Sequence, residues 1–270
     1  MADFYFNSGA YAAAETNYQR IAEIWPKSEL MFLARLMAGR AAVGRTSYEN
    51  ASQYYFLPLY TNAACPEEIK MQALFDYGNA LMSRDSTNKA EDYQAAIAAF
   101  KPIAQQTTNT LRILAWGHIA SCYLQWAQTS PQLAPQLTNS VDYFQRIVDE
   151  PAADGSARSI AKVGLAIVLQ KQAAEAPTKE KREELQTNAL NHYLDVLDGR
   201  ILRKDESPNP FWTKKAGMDA AQLASTINRW DIAAHIYERL IELLPTLRPM
   251  LQDRLLKAQA QAKLAQTRTD

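Results

Sequence analysis

The chain has 270 residues, and its 29 basic and 29 acidic side chains balance to a formal net charge of zero. Because nucleic-acid binders usually carry a basic excess or a basic stripe, this balance argues against a nucleic-acid partner. Hydrophobic residues make up 47% of the chain, which is ample for a core. No apolar run approaches the roughly 20 residues that a membrane-spanning helix needs, so we expect no direct insertion into a membrane.

The composition favours helix throughout, with 44 alanines against nine glycines. Alanine loses no side-chain entropy on entering a helix, and the chain has little clustering of the β-branched residues that favour strands. Apolar periodicity, together with prolines at the ends of periodic stretches, sets the helix boundaries. We predict helices over residues 9–25, 28–44, 47–60, 67–83, 90–106, 109–128, 137–149, 156–174, 181–199, 210–227, 230–244 and 247–267.

A six-point pattern near the start of the chain recurs with identical offsets near its end. The first copy is Gly9, Tyr11, Ala14, Tyr18, Ile21 and Pro26, and the second is Asn228, Trp230, Ala233, Tyr237, Leu240 and Pro245. Within this pattern, Ala14 and Ala233 each begin a small–aromatic–aliphatic anchor, and similar anchors begin at positions 51, 96, 140 and 189. Counted from Ala14 to Ala233, successive anchors lie 37, 45, 44, 49 and 44 residues apart. The preceding predicted helices carry a small residue, such as Gly78 or Gly217, which allows the paired helix to approach closely.

These features resemble the second and first helices of the tetratricopeptide repeat, a helix–turn–helix unit of about 34 residues. Trp116, Ile119, Ala120 and Tyr123 match the first-helix pattern most fully. The resemblance implies an all-α, right-handed α-solenoid of about six helical hairpins with a C-terminal capping helix, whose concave face binds other proteins. The lengthened intervals place their extra residues in polar or proline-containing loops.

On this reading, residues 1–270 form a single repeat domain. Its approximate repeats are 1–27, 28–66, 67–108, 109–152, 153–207 and 208–246, with a cap at 247–270. Only eight residues precede Gly9. Either a short N-terminal turn caps the array, or the chain is a fragment of a longer protein, and we favour the fragment.

Two segments, 18–44 and 147–166, are also similar to a bacterial subgroup of these repeat proteins. That subgroup includes outer-membrane assembly lipoproteins and the periplasmic coordinator of the Tol–Pal system. This resemblance implies a bacterial protein. If the chain is part of a longer precursor, it favours the periplasm of the cell envelope over the cytoplasm.

No catalytic constellation is visible in the sequence. A glycine-rich phosphate loop, HExxH, GxSxG and CxxC are all missing, and we expect no enzyme activity, cofactor or metal. His118, His192 and His235 fall on separate predicted helices beside packing residues, which indicates structural or surface roles. Cys65 and Cys122 fit no metal spacing and are predicted to be isolated thiols.

The predicted function is a non-catalytic scaffold that binds a peptide or a partner protein in its concave groove. The alternative is a structural or carrier arm of a larger cell-envelope protein. Offsets that the resemblance supplies place these residues in the groove: Leu36, Arg40, Val43, Gln72, Phe75, Asn79, Met82, Ser121, Leu124 and Gln125. We predict that Arg40, Phe75, Asn79, Met82 and Gln125 contact the partner. The competing interpretation is that Phe75 and Met82 pack against a neighbouring hairpin.

Overall fold

The computed structural model describes residues 1–108, 110–129 and 133–267, and these residues form helices and connecting loops without a β-strand. The all-α prediction is therefore confirmed for the described part of the chain. The chain divides into two compact units, Met1–Gln136 and Leu137–Asp270.

The first unit begins with a short helix that the sequence analysis did not predict, α1. Its helices are α1 (Ala2–Asn7), α2 (Tyr11–Ile24), α3 (Leu30–Gly44), α4 (Tyr48–Asn50), a π-helical segment (Ala51–Phe56), α5 (Leu57–Thr61), α6 (Glu67–Ser83), α7 (Lys89–Gln105) and α8 (Arg112–Thr129). The next helix, α9 (Leu133–Asp149), starts in the last residues of this unit. The predicted helix at 67–83 has the observed bounds, and the others differ by a few residues.

The second unit continues with five helices whose bounds also follow the prediction closely. They are α10 (Gly155–Ala174), α11 (Lys179–Leu197), α12 (Pro210–Thr226), α13 (Trp230–Leu243) and α14 (Arg248–Gln266), with a single 3₁₀ turn (Pro245–Leu247) before α14. Local sequence explains their starts. Asp154, Thr178 and Asn209 each accept a hydrogen bond from a backbone N–H of the first turn of the helix that follows.

Within each unit, helices that follow one another in sequence pack against one another. In the first unit, α3 also contacts α6, and α6 contacts α8. In the second, α10 contacts α12. Each unit has its own apolar cluster, which includes Leu36 and Phe56 in the first and Tyr193 and Leu240 in the second. This sequential packing is a repeat-like helical architecture.

Small residues on α6 and α12 allow the close approach that the sequence predicted. A Cβ atom on Gly78 would lie 2.6 Å from the Phe100 ring on α7. A Cβ atom on Gly217 would lie 2.6 Å from a methyl group of Leu240 on α13. Both distances are far below van der Waals contact, so neither position accommodates a side chain without movement of its neighbour.

Candidate binding cleft

An open cleft of about 460 Å³ lies in the first unit along the first half of α6. Arg40 of α3 contributes one wall, and the chain that follows α7 contributes another. We call this depression the α6 cleft. Its lining residues are Arg40, Glu67, Glu68, Met71, Gln72, Phe75, Asp76, Gln106, Thr108, Thr110 and Leu111.

The helical period of α6 decides which of its residues reach the cleft. Leu74 and Leu81 are buried in the core, which fixes the inward face of the helix. Glu68, Gln72 and Asp76 recur at intervals of four and therefore share one face of α6, which lies beside the inward face and lines the cleft. Acidic residues in the first turn, such as Glu68, interact favourably with the positive end of the helix dipole.

The polar wall of the cleft is a network centred on Arg40. The Arg40 Nε donates to Asp76 Oδ2 at 2.7 Å, and its Nη2 donates to Gln72 Oε1 at 3.2 Å. Both charged side chains are partly shielded, with 35% of the Arg40 side chain and 18% of the Asp76 side chain exposed. The network fixes the guanidinium between two α6 side chains and leaves part of it open to the cleft.

Burial raises the pKa of the Asp76 carboxyl, and the neighbouring Arg40 guanidinium partly offsets that rise by favouring the charged form. Desolvation is the larger of the two effects. The carboxylate consequently depends on Arg40 for compensation of its charge. A ligand that withdrew Arg40 from this pair would leave the carboxylate poorly solvated.

The apolar part of the cleft is centred on Phe75, which is only half-buried. Its ring meets the Phe100 ring edge-on with centroids 5.5 Å apart, and the His118 ring edge-on at 5.1 Å. His118 stacks on Phe100, also at 5.1 Å. Packing from behind therefore holds Phe75 in one orientation while part of its surface faces the cleft.

Among the five predicted contact residues, the structure brings two into the same cleft. Arg40 and Phe75 both line it. Asn79 and Met82 lie further along α6 as half-buried residues outside the cleft lining, and Gln125 is exposed on α8. Neither Phe75 nor Met82 is fully buried, although Phe75 does pack against α7 and α8. The binding role of all five stays a prediction.

Two of the wider set of predicted groove residues are misplaced. Leu36 and Leu124 are both buried in the core, with exposures of 0% and 6%. The offset taken from the resemblance pointed their side chains outward. The helices instead turn them inward, because removing an apolar leucine side chain from water is favourable.

Sequence reasoning missed Asp76, Met71 and the two glutamates at the start of α6. A usable signal existed for Asp76. It lies 36 residues after Arg40, close to the first repeat interval of 37, so that equivalent helices would bring opposite charges together. Met71 is predominantly buried, and nothing in its sequence context distinguishes it from an ordinary core residue.

The histidines and cysteines occupy buried or surface positions outside the cleft lining. Burial lowers the pKa of His118 and, together with the nearby Lys162 charge, that of His192. His235 is exposed. Cys65 and Cys122 are free buried thiols, as predicted.

Two findings concern the described residues as a whole. They contain no group of three or more histidine, cysteine, aspartate or glutamate side chains arranged to hold a metal ion. None of their helices is both long enough and apolar enough to cross a membrane.

In comparisons with known proteins, no family model matches the chain, and neither does any curated protein.

Proposed function

We propose that the chain is a non-catalytic interaction scaffold, and that the α6 cleft binds an extended segment of a partner protein. The carrying observation is the combination at Phe75. A partly exposed aromatic ring, supported from behind by Phe100 and His118, lines the same cleft as a guanidinium, a carboxylate and an amide. Specific interfaces typically combine an aromatic anchor with directional polar groups in this way.

We further propose that the hairpins belong to an α-solenoid of the tetratricopeptide type. Support comes from the contacts between alternate helices within the units and from the glycine positions that admit large side chains of the paired helix. In such an array, side chains of alternate helices line the binding surface. Because α4, the π-helical segment and α5 are continuous in sequence and count as one helix of the array, α3 and α6 are alternate helices. They carry Arg40 and Phe75.

The charge of the α6 cleft favours a basic ligand. Asp76 pairs with Arg40, and Glu67 lies 3.9 Å from the Lys70 ammonium, whereas Glu68 makes no salt bridge with any residue that the structure describes. A segment with an apolar side chain over Phe75 and a lysine or arginine beside Glu68 would match both features. Complementary charge of this kind raises association rates and excludes acidic competitors.

A peptide selection tests this proposal directly. A random peptide library displayed on phage is selected on the purified chain, and the affinity of each selected peptide is then measured by fluorescence anisotropy. We expect enrichment of peptides that pair an apolar with a basic residue. Glu68→Gln should lower the affinity for these peptides by at least about fivefold, since a rim charge contributes on the order of 1 kcal/mol to the binding free energy.

Matched variants separate binding from folding. Glu23→Gln removes an exposed carboxylate of α2 outside the cleft and should leave the affinity unchanged. Asn79→Ala and Gln125→Ala report whether contact extends beyond the cleft. Selected peptides that bind Glu68→Gln and Phe75→Leu as well as they bind the unmodified chain would rule out the α6 cleft as the site.

A further inference from the structure

A second depression lies in the other unit and runs along α12. It consists of two adjoining hollows of about 650 and 610 Å³ that share Gln222. Residues of α10, α11 and α12 line the first hollow, and residues of α12, α13 and α14 line the second. We call the combined depression the α12 groove.

Positive charge predominates in the α12 groove. Four cationic side chains line it, against the single carboxylate of Asp219; they are Arg182, Lys215, Arg254 and Lys257. Lys215 Nζ lies 2.6 Å from Asp219 Oδ2, so these two charges compensate each other. The other three cations form no salt bridge with any residue in the described ranges. Because the whole chain is neutral, this excess is a local feature of the groove.

A buried hydroxyl adds a directional donor to this charge. The Tyr193 side chain is almost fully buried, yet it contributes to the lining of the first hollow. Its oxygen accepts a 2.7 Å hydrogen bond from Gln170 Nε2, and its own O–H finds no acceptor among the described residues. Burial also raises the pKa of Tyr193, so the proton is retained at neutral pH. A buried donor without an acceptor carries a cost that a ligand oxygen would remove.

We propose that the α12 groove binds an acidic segment of a partner protein. Carboxylates of that segment pair with Arg182 in the first hollow and with Arg254 and Lys257 in the second, and one carboxylate oxygen accepts a hydrogen bond from the Tyr193 hydroxyl. The α12 groove shares no residue with the α6 cleft, and its ligand has the opposite charge. The two proposals can therefore fail independently.

One observation favours a protein segment over a nucleic acid, the other common polyanion. Asp219 lies within the groove and would repel a continuous phosphate backbone, whereas a peptide can place a neutral residue beside it. Nucleic-acid channels rely on exposed aromatic faces for base stacking. In the second hollow Tyr237 is only 7% exposed but Trp230 is half-buried, so the test includes a single-stranded RNA.

The test uses the full chain and three labelled peptides with amidated C-termini. One peptide alternates glutamate with leucine, and its two counterparts carry glutamine or lysine in place of glutamate. Fluorescence anisotropy should detect binding of the glutamate peptide alone, with an affinity that falls as salt screens the charges. The double variant Arg254→Gln, Lys257→Gln should weaken that binding by about tenfold.

Controls keep the outcome tied to the groove. The double variant Lys179→Gln, Lys204→Gln makes the same change of net charge at exposed positions outside the groove and should bind normally. Tyr193→Phe should weaken binding of the glutamate peptide, because it removes the proposed donor; it also removes the acceptor of Gln170 Nε2, so Gln170→Leu, which removes that bond alone, is measured beside it. Equal binding of the glutamine peptide, or unchanged affinity in the Arg254 and Lys257 variant, would overturn the proposal. The proposal would also be overturned if labelled single-stranded RNA bound more tightly than the glutamate peptide and the Arg254 and Lys257 variant abolished that binding.

Discussion

His118 is a titratable ring enclosed by aromatic neighbours. It stacks on Phe100 and meets the edge of Phe75, and burial lowers its pKa because the charged imidazolium is poorly solvated there. The folded state therefore binds fewer protons at this residue than the unfolded chain does in the range just below the ordinary histidine pKa. Stability must consequently rise with pH through that range and level off above it.

Replacing His118 with phenylalanine should flatten this dependence. In the unmodified chain we expect the free energy of unfolding to fall as the pH is lowered from 7 to 5, by at most about 1.4 kcal/mol per pH unit for each proton taken up. His118→Phe keeps an aromatic ring in the cluster and removes one such proton. Urea unfolding at a series of pH values measures the slope, and His235→Gln, at an exposed ring, serves as the control. An unchanged slope in His118→Phe would show that acid sensitivity originates elsewhere, for example at His192.

At the scale of helices, sequence was sufficient wherever a boundary depends on local chemistry. The start of α12 at Pro210, capped by Asn209, and the end of α6 at Ser83 both follow from residues within one turn of the boundary. The same holds for the choice of face in α6, where Gly78 identifies the contact with α7. The identity of α6 and α12 and the inward face of α6 were thus predictable, whereas α1 and the inward positions of Leu36 and Leu124 were not.

The π-helical segment at Ala51–Phe56 was not predictable in the same way. The sequence indicated an ordinary helix there, and the helix is present, but Leu57 N–H bonds to the Ser52 carbonyl five residues back. Pro58 follows and has no N–H to donate. The Tyr55 hydroxyl donates to Glu15 Oε1 at 2.7 Å, across 40 residues of sequence. The proline is visible in the sequence, but a contact across 40 residues cannot be inferred from the residues of the segment itself.

The candidate site followed the same division. Offsets that the resemblance supplied place Phe75 and Arg40 in one cleft, although the same offsets failed for Leu36 and Leu124. Asp76 was missed in spite of its spacing from Arg40, and His118 could not be linked to Phe75 because that contact joins α6 to α8. Locating the cleft required the three-dimensional arrangement of these helices.

The long connection between α11 and α12 depends on one buried arginine, Arg158 of α10. Its Nε donates to the Ile201 carbonyl at 2.9 Å, and its other nitrogens bond the Ala153 carbonyl and the Glu206 carboxylate. The guanidinium thus joins the start of α10 to two points on the connection. A lysine in its place has no planar fork and cannot satisfy these acceptors together.

Substitution of Arg158 should release this connection. We expect Arg158→Met to speed tryptic cleavage after Arg203 and Lys204, because proteolysis follows local opening of the backbone. Mass spectrometry of timed digests locates and quantifies the cuts. Arg239→Met removes a partly exposed arginine paired with Glu242 and should not change the rate at these sites. Equal cleavage rates in Arg158→Met and the unmodified chain would mean that Arg203, which bonds the Pro151 carbonyl, is sufficient to hold the connection.

At the scale of the whole molecule, stability is distributed between two units with separate apolar clusters. In a repeat-like array each helix contacts only near neighbours, so the free energy of unfolding is approximately a sum of local terms. A perturbation should therefore weaken protection most in the helices that it touches. The glycines at the α6–α7 and α12–α13 contacts provide equivalent perturbations, one in each unit.

Gly78→Ala and Gly217→Ala should each destabilise the unit that contains it and spare the other. Alanine would favour an isolated helix by about 1 kcal/mol, but its Cβ would overlap Phe100 or Leu240 and cost about 1–3 kcal/mol through overpacking. Hydrogen exchange measured by mass spectrometry should show faster exchange in α6 and α7 for Gly78→Ala, and in α12 and α13 for Gly217→Ala. Each variant is the control for the other.

Phe100→Leu should partly restore protection in Gly78→Ala by making room for the added methyl group. Equal acceleration across both units in both variants would mean that the chain unfolds as one cooperative body, and that its energy is not the sum of local contacts.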